Sequence, residues 1–177
     1  LENVFNRSDE EIKKLNEDRV ESLPIDEKPI VTTSFVQLYK DAVDSFYKEF
    51  MGWESGMKVD VAKLRNIIMP LVEKAMVEKQ VFSLLNMYSK MDKYIAHHSI
   101  AVGIISGAIA KKLNYSSGQI TQMATAGLMA DIGMAKVDSK IRDKKSALTE
   151  FDFSEIKKHT IYSFQMIKDS PLLKPEM

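Results

Sequence analysis

Ala124–Val137 reads ATAGLMADIGMAKV, an apolar run broken by a single acidic residue, Asp131, two places before Gly133. Asp131 follows Ile120, Ala124 and Gly127 or Leu128 at steps of three and four, so on a helix it shares their face. That face is expected to be buried. A carboxylate there is costly unless a cation or several donors meet it. The spacing predicts one helix through Asp131, stopped by Gly133, and makes the partner of Asp131 the central question.

The flanking segments are also helical in pattern. Ser116-Ser117-Gly118-Gln119 is a capping box for the helix leading to Asp131. Before it, Tyr94–Leu113 is apolar nearly all round, which predicts a central buried helix. Gly103, Ser106, Gly107 and Ala110 give that helix a small-residue seam for a close neighbour, and Asn114 suits its end. After it, 136–147 is rich in Lys and Arg without a period and reads as a loop. Thr149 caps a last long helix from Glu150 to about Lys168, with Phe153, Ile156, Thr160, Phe164 and Ile167 expected inward. Pro171 and Pro175 follow it.

Towards the N-terminus, Asp60 opens a helix with Val61, Leu64, Ile67, Ile68, Leu71, Val72 and Ala75 inward and Pro70 as an expected kink. Val81–Tyr88 reads as a short helix, and Ser89–Asp92 as a turn. Thr32, Thr33 or Ser34 caps a strongly amphipathic helix carrying Phe35, Leu38, Tyr39, Ala42, Val43, Phe46, Tyr47 and Phe50, ended by Gly52 and Gly56. Ser8-Asp9-Glu10-Glu11 opens a polar helix to about Val20, and 23–29, with two prolines, reads as a linker. No segment alternates as a strand and there is no internal repeat. The fold expectation is all-α, about seven helices: an arm or linker over 1–30, a helical segment over 31–90 and a core over 91–177.

The chain has 177 residues, 45% of them hydrophobic and 28% charged, the composition of an ordinary soluble globule. Lys plus Arg equals Asp plus Glu at 25 each, so no net field draws the chain to a nucleic acid polymer or a membrane surface. It contains no cysteine, which removes disulfides, thiolate metal sites and cysteine nucleophiles together. That fits a cytoplasmic setting. The longest apolar stretch, Ile100–Ala110, is too short and glycine-rich to span a bilayer. Leu1-Glu2-Asn3-Val4 has neither an initiator Met nor a signal pattern, and reads as the start of a fragment or trimmed chain.

Three histidines are present, His97, His98 and His159. Imidazoles on two helices and an inward Asp on a third are the ligand types for Zn, Mn or Fe where thiols are absent. The plain alternative is that the histidines are core residues. Periodicity alone does not choose between His97 and His98.

Asp92-Lys93-Tyr94-Ile95-Ala96-His97-His98-Ser99 resembles the D-x-Y-T-x-x-H-S opening of HD-GYP domains, the branch of the HD phosphohydrolase superfamily that opens cyclic di-GMP. AGLMADIGMAKV resembles that family's A-x-L-L-H-D-I-G-K-x-x-I-P segment, IRDKKSALT its I-L-x-K-x-x-x-L-T loop, and EIKKH its E-x-x-K-x-H helix. The match runs from about Asp92 to Ile167, in order. It implies an HD-domain-like helical bundle with an N-terminal helical arm. It also implies a divalent metal centre of Fe or Mn with His98, Asp131 and His159 as ligands and Asp131 as the catalytic carboxylate, and Lys144 as a substrate-binding lysine for cyclic di-GMP or a related dinucleotide. In the family that carboxylate bridges two metals, and a bound water attacks phosphorus. Lys136, Lys140, Arg142 and Lys145 join Lys144 as cations that would draw in a dianion, with a solvated surface as the alternative.

The chain departs from the pattern in three places. The histidine of the HD pair is Ala130, and the lysine after Ile-Gly is Met134. The family's later H-H ligands, its later Asp and its G-Y-P loop do not occur before Met177. Two expectations follow: a metal-dependent cyclic di-GMP phosphodiesterase, impaired in this chain, or a non-hydrolytic regulatory module that binds a cyclic dinucleotide or docks a protein partner through its helical surface. A sensory domain before Leu1 is expected in either case.

Overall fold

The computed structural model describes residues 33–77, Leu85 and 93–170. The N-terminal arm, the linker, the 81–88 helix apart from Leu85, the 89–92 turn and the two C-terminal prolines lie outside them. The chain divides after Ile30, and every described residue belongs to the second unit.

Among the described residues all regular structure is helical. The order is α1 (Thr33–Glu54), α2 (Val61–Ala75), α3 (Tyr94–Lys112), α4 (Ser117–Met129), a 3-10 turn (Ile132–Lys136), α5 (Ser139–Arg142), α6 (Glu150–Lys157) and α7 (His159–Ile167). In α1 the buried residues Phe35, Tyr39, Ala42, Val43, Phe46, Phe50 and Trp53 recur at helical spacing and form one stripe. The helix runs through Gly52 and stops at Glu54. Gly56 then takes φ +94°, a backbone that side-chain-bearing residues seldom adopt. Asp60 caps α2 by accepting the Lys63 amide at 3.1 Å. Its buried face is Val61, Leu64, Ile68, Leu71, Val72 and Ala75, with Pro70 inside the helix.

α3 and α4 form the most extensive helix pair, and α2 packs on both. The small seam is what permits this. A Cβ on Gly107 would lie 2.8 Å from Val72 and 3.2 Å from the Ala124 side chain, so both helices approach to near contact there. α4 begins with the expected capping box, Ser116 N–H donating to Gln119 Oε1 at 3.0 Å. One core joins α1, α2, α3, α4 and the 3-10 turn, from Phe35 to Ala135, on both sides of residue 90. Trp53, 1% exposed, meets Phe46 and Phe50 edge-on within it. No helix among the described residues is long and apolar enough to cross a membrane.

Four expectations need correction. Asp131 is not inside a helix: α4 ends at Met129, and Asp131 sits at the joint with the 3-10 turn (φ −110°, ψ 14°), its side chain 27% exposed. Nor does Gly133 stop the helix; it lies within the turn. The last long helix is two, α6 and α7, parted at Lys158, and this turns Phe153, Thr160 and Phe164 outward, while Asp152 and Ser163 are buried. The 136–147 segment contains the end of the 3-10 turn and the single-turn helix α5.

Candidate functional site

Asp131 is placed by what packs beside it. A Cβ on Gly133 would fall 2.0 Å from the carbonyl oxygen of His159 and 2.4 Å from Ser163 N, so only glycine lets α7 lie directly on the turn. Ser163 closes the joint. Its hydroxyl accepts the Gly133 amide at 2.9 Å and donates to the Ala130 carbonyl at 2.9 Å, clamping the backbone on either side of Asp131. Ser163 was not singled out from the sequence. Its signal was available: one helical turn after His159, on the same face.

The structure brings His98, Asp131 and His159 together from three elements. His98 Nε2 lies 3.1 Å from Asp131 Oδ2, and His159 Nε2 lies 3.3 Å from Asp131 Oδ1. Each carboxylate oxygen thus faces its own imidazole. His159 Nδ1 is 2.6 Å from the Ile156 carbonyl, which only an N–H can approach, so Nδ1 carries a proton. This leaves Nε2 as the ring atom facing Asp131 Oδ1, a contact that a proton or a cation shared between them makes attractive.

His97 points elsewhere. It is 8% exposed, and its Nδ1 meets the Tyr39 hydroxyl at 3.1 Å. Burial, then the nearby Lys93 ammonium, hold its pKa below the ordinary imidazole value. The choice between the two adjacent histidines therefore falls on His98 for the site and His97 for the core.

Beside the His–Asp–His set is a cavity of about 580 Å3. Its lining includes Lys93, Tyr94, His98, Asp131, Arg142 and Lys145. Most of its cations are already matched by carboxylates. Lys93 pairs with Asp44 at 2.6 Å. Arg142 pairs with Glu54 and, at 3.0 Å, with Asp143; it also lies over the Phe50 ring and donates to the Met134 carbonyl. Burial lowers the Arg142 pKa, but the hydrogen bonds it donates to Asp143 and Glu54 outweigh that and raise the net value. Lys144, the expected substrate lysine, lines the cavity but is tied to Asp152. Asp152 in turn accepts the Thr149 amide at 2.9 Å in the capping box of α6. The Lys144 hydrogen bond, with the Thr149 amide, holds the Asp152 carboxyl at about 2.

For a metal, the donor count decides. Among the described residues no three His, Cys, Asp or Glu side chains are placed to hold one ion. The two imidazoles address different carboxylate oxygens, and Ala130, exposed, offers no donor where the resemblance calls for a third imidazole. The set is therefore one imidazole short of the divalent centre that the resemblance implies.

Comparison with known proteins bears on the same region. The model of the HDOD domain family matches residues 60–164, more than half of the chain. A protein named cyclic di-GMP phosphodiesterase from Thermotoga maritima is 32% identical over 98 residues, 54% of this chain and 27% of its own length. A protein of that name from Borreliella burgdorferi is 31% identical over 75 residues, 42% of this chain and 20% of its own. One from Pseudomonas aeruginosa is 25% identical over 130 residues, 73% of this chain and 31% of its own. The chain spans less than a third of the length of each of these relatives. No solved structure matches it.

Proposed function

The chain belongs to the HDOD domain family, and from that premise we propose that it is a phosphohydrolase-like regulatory module that binds a cyclic dinucleotide, of the cyclic di-GMP class, without hydrolysing it. The observation carrying this reading is the converged His98–Asp131–His159 set beside an open cavity, with Ala130 where a third imidazole would stand. The relatives' printed names supply the ligand class. The cavity supplies the means: Lys93 and Lys145 at its wall meet phosphate oxygens, and the exposed Lys93–Asp44 pair exchanges readily for a phosphate partner. Phosphodiester cleavage needs an activated water and a stabilised leaving oxygen. Asp131 with both oxygens engaged by imidazoles supplies neither.

The test is calorimetric titration with cyclic di-GMP, with and without added Mn or Fe, followed by chromatography of the incubated nucleotide. Saturable binding with no linear dinucleotide is expected. No binding would refute the reading; product formed in proportion to bound metal would replace it with the second one.

That second reading is an impaired metal-dependent phosphodiesterase, and the closeness of His98, Asp131 and His159 favours it. Ala130→His separates the two. If the missing imidazole alone limits the site, metal uptake measured by elemental analysis rises towards stoichiometry. Unchanged uptake supports the non-hydrolytic module.

A further inference from the structure

Tyr94 is the first residue of α3 and is 63% exposed. Its ring lies over the His98 imidazole, centroids 5.7 Å apart and planes 21° from parallel. Both side chains line the cavity beside Asp131. The contact fixes the plane of the phenol and leaves most of its surface open.

The residue before it is unusual in another way. Lys93 adopts φ 65° and ψ 39°, left-handed backbone that is costly for a residue with a Cβ. Its ammonium lies 5.4 Å from the centroid of Tyr47, a second aromatic side chain lining the cavity. Lys145, also exposed, adds another cation to the lining. A flat exposed ring held at fixed tilt, with cations in the same cavity, matches a ligand that is planar and aromatic at one end and anionic at the other.

We infer that Tyr94 is a base-stacking, specificity-determining residue: the base of a nucleotide lies on the Tyr94–His98 pair while Lys93 and Lys145 meet its phosphate. This rests on the ligand reading above and adds to it the residue that tells a nucleotide from a bare sugar phosphate. Stacking suits this task because every base presents a π face, and the gain is lost when the ring is removed. The cations alone would hold inorganic phosphate and a nucleotide about equally.

Equilibrium titration of the full chain with cyclic di-GMP and, separately, with ribose 5-phosphate tests the assignment in wild type, Tyr94→Ala and Tyr94→Phe. Tyr94→Ala is expected to weaken cyclic di-GMP about tenfold and ribose 5-phosphate less than about twofold. Tyr94→Phe keeps the ring and stays within about twofold of wild type for both. If Tyr94→Ala loses helicity by circular dichroism, Tyr94→Leu replaces it: apolar bulk without a π face, with the same tenfold loss expected. Wild type and Tyr94→Ala binding cyclic di-GMP equally would overturn the stacking role and leave the ligand reading standing. Wild type failing to bind cyclic di-GMP at all would overturn the ligand reading, and the stacking role with it.

Discussion

Gly133 and Ser163 decide where Asp131 can stand. Gly133→Ala puts a methyl 2.0 Å from the His159 carbonyl, too close for any rotamer change to relieve, so α7 must move. A loss of about 3 kcal/mol in denaturant unfolding is expected, together with loss of the cyclic dinucleotide binding proposed above, as His159 leaves Asp131. Ser163→Ala is milder in shape but leaves the buried Gly133 amide without its acceptor. About 1–3 kcal/mol is expected, and rapid hydrogen exchange at Gly133 would show the cause directly. His97 gives a pH signature of its own. Its folded pKa is depressed below the ordinary 6.5 by burial, so the unfolded chain takes up the proton more readily. Its contribution to stability is complete above about pH 6.5 and is lost as pH falls below that value. His97→Gln should flatten the melting temperature between pH 7 and 5 relative to wild type.

At the level of helices, the sequence was informative wherever a side chain forces a backbone outcome. Asp60, Ser116 and Thr149 each cap the helix expected of them, because a short polar side chain before an apolar stripe has few other uses. The break at Lys158 was not readable. No Gly or Pro marks it, and EIKKHTIYSF continues a helical period across it. Asp131 was misplaced for a related reason. The apolar run continues unchanged from α4 into the 3-10 turn, and composition does not distinguish i→i+4 from i→i+3 bonding. His98 was identified by resemblance, since α3 is apolar on both faces. The loop lysines carried no sign of which would be tied down; Lys144 proves to be an anchor for α6. That anchor is testable through Asp152, whose carboxyl is held at about 2 against 3.8. A depressed acid stabilises above its unfolded pKa and ceases to as pH falls towards the folded one. Local opening of 143–152, followed by hydrogen exchange, should therefore rise between about pH 4 and 2. Asp152→Asn should show the raised exchange already at pH 7.

The molecule as a whole was foreseen as an all-helical bundle around a central helix, and that is its architecture among the described residues. Because one core joins both sides of residue 90, its helices should unfold together. Trp53 makes this easy to check. It is the single tryptophan and is 1% exposed, so its emission reports the core alone. Its red shift in urea should coincide with loss of helical circular dichroism, and Ile104→Ala, at a fully buried position on α3, should shift both midpoints by the equivalent of about 2–5 kcal/mol. Separate midpoints would refute a single cooperative unit.

Two cations that follow Asp131 are moored to the far end of α1. Lys136 donates to the Trp53 carbonyl at 2.5 Å, and Arg142 holds Glu54. The first helix and the cavity wall are therefore hitched like a rudder to its tiller. A displacement of the end of α1 would therefore reach the turn bearing Asp131 through these two bonds.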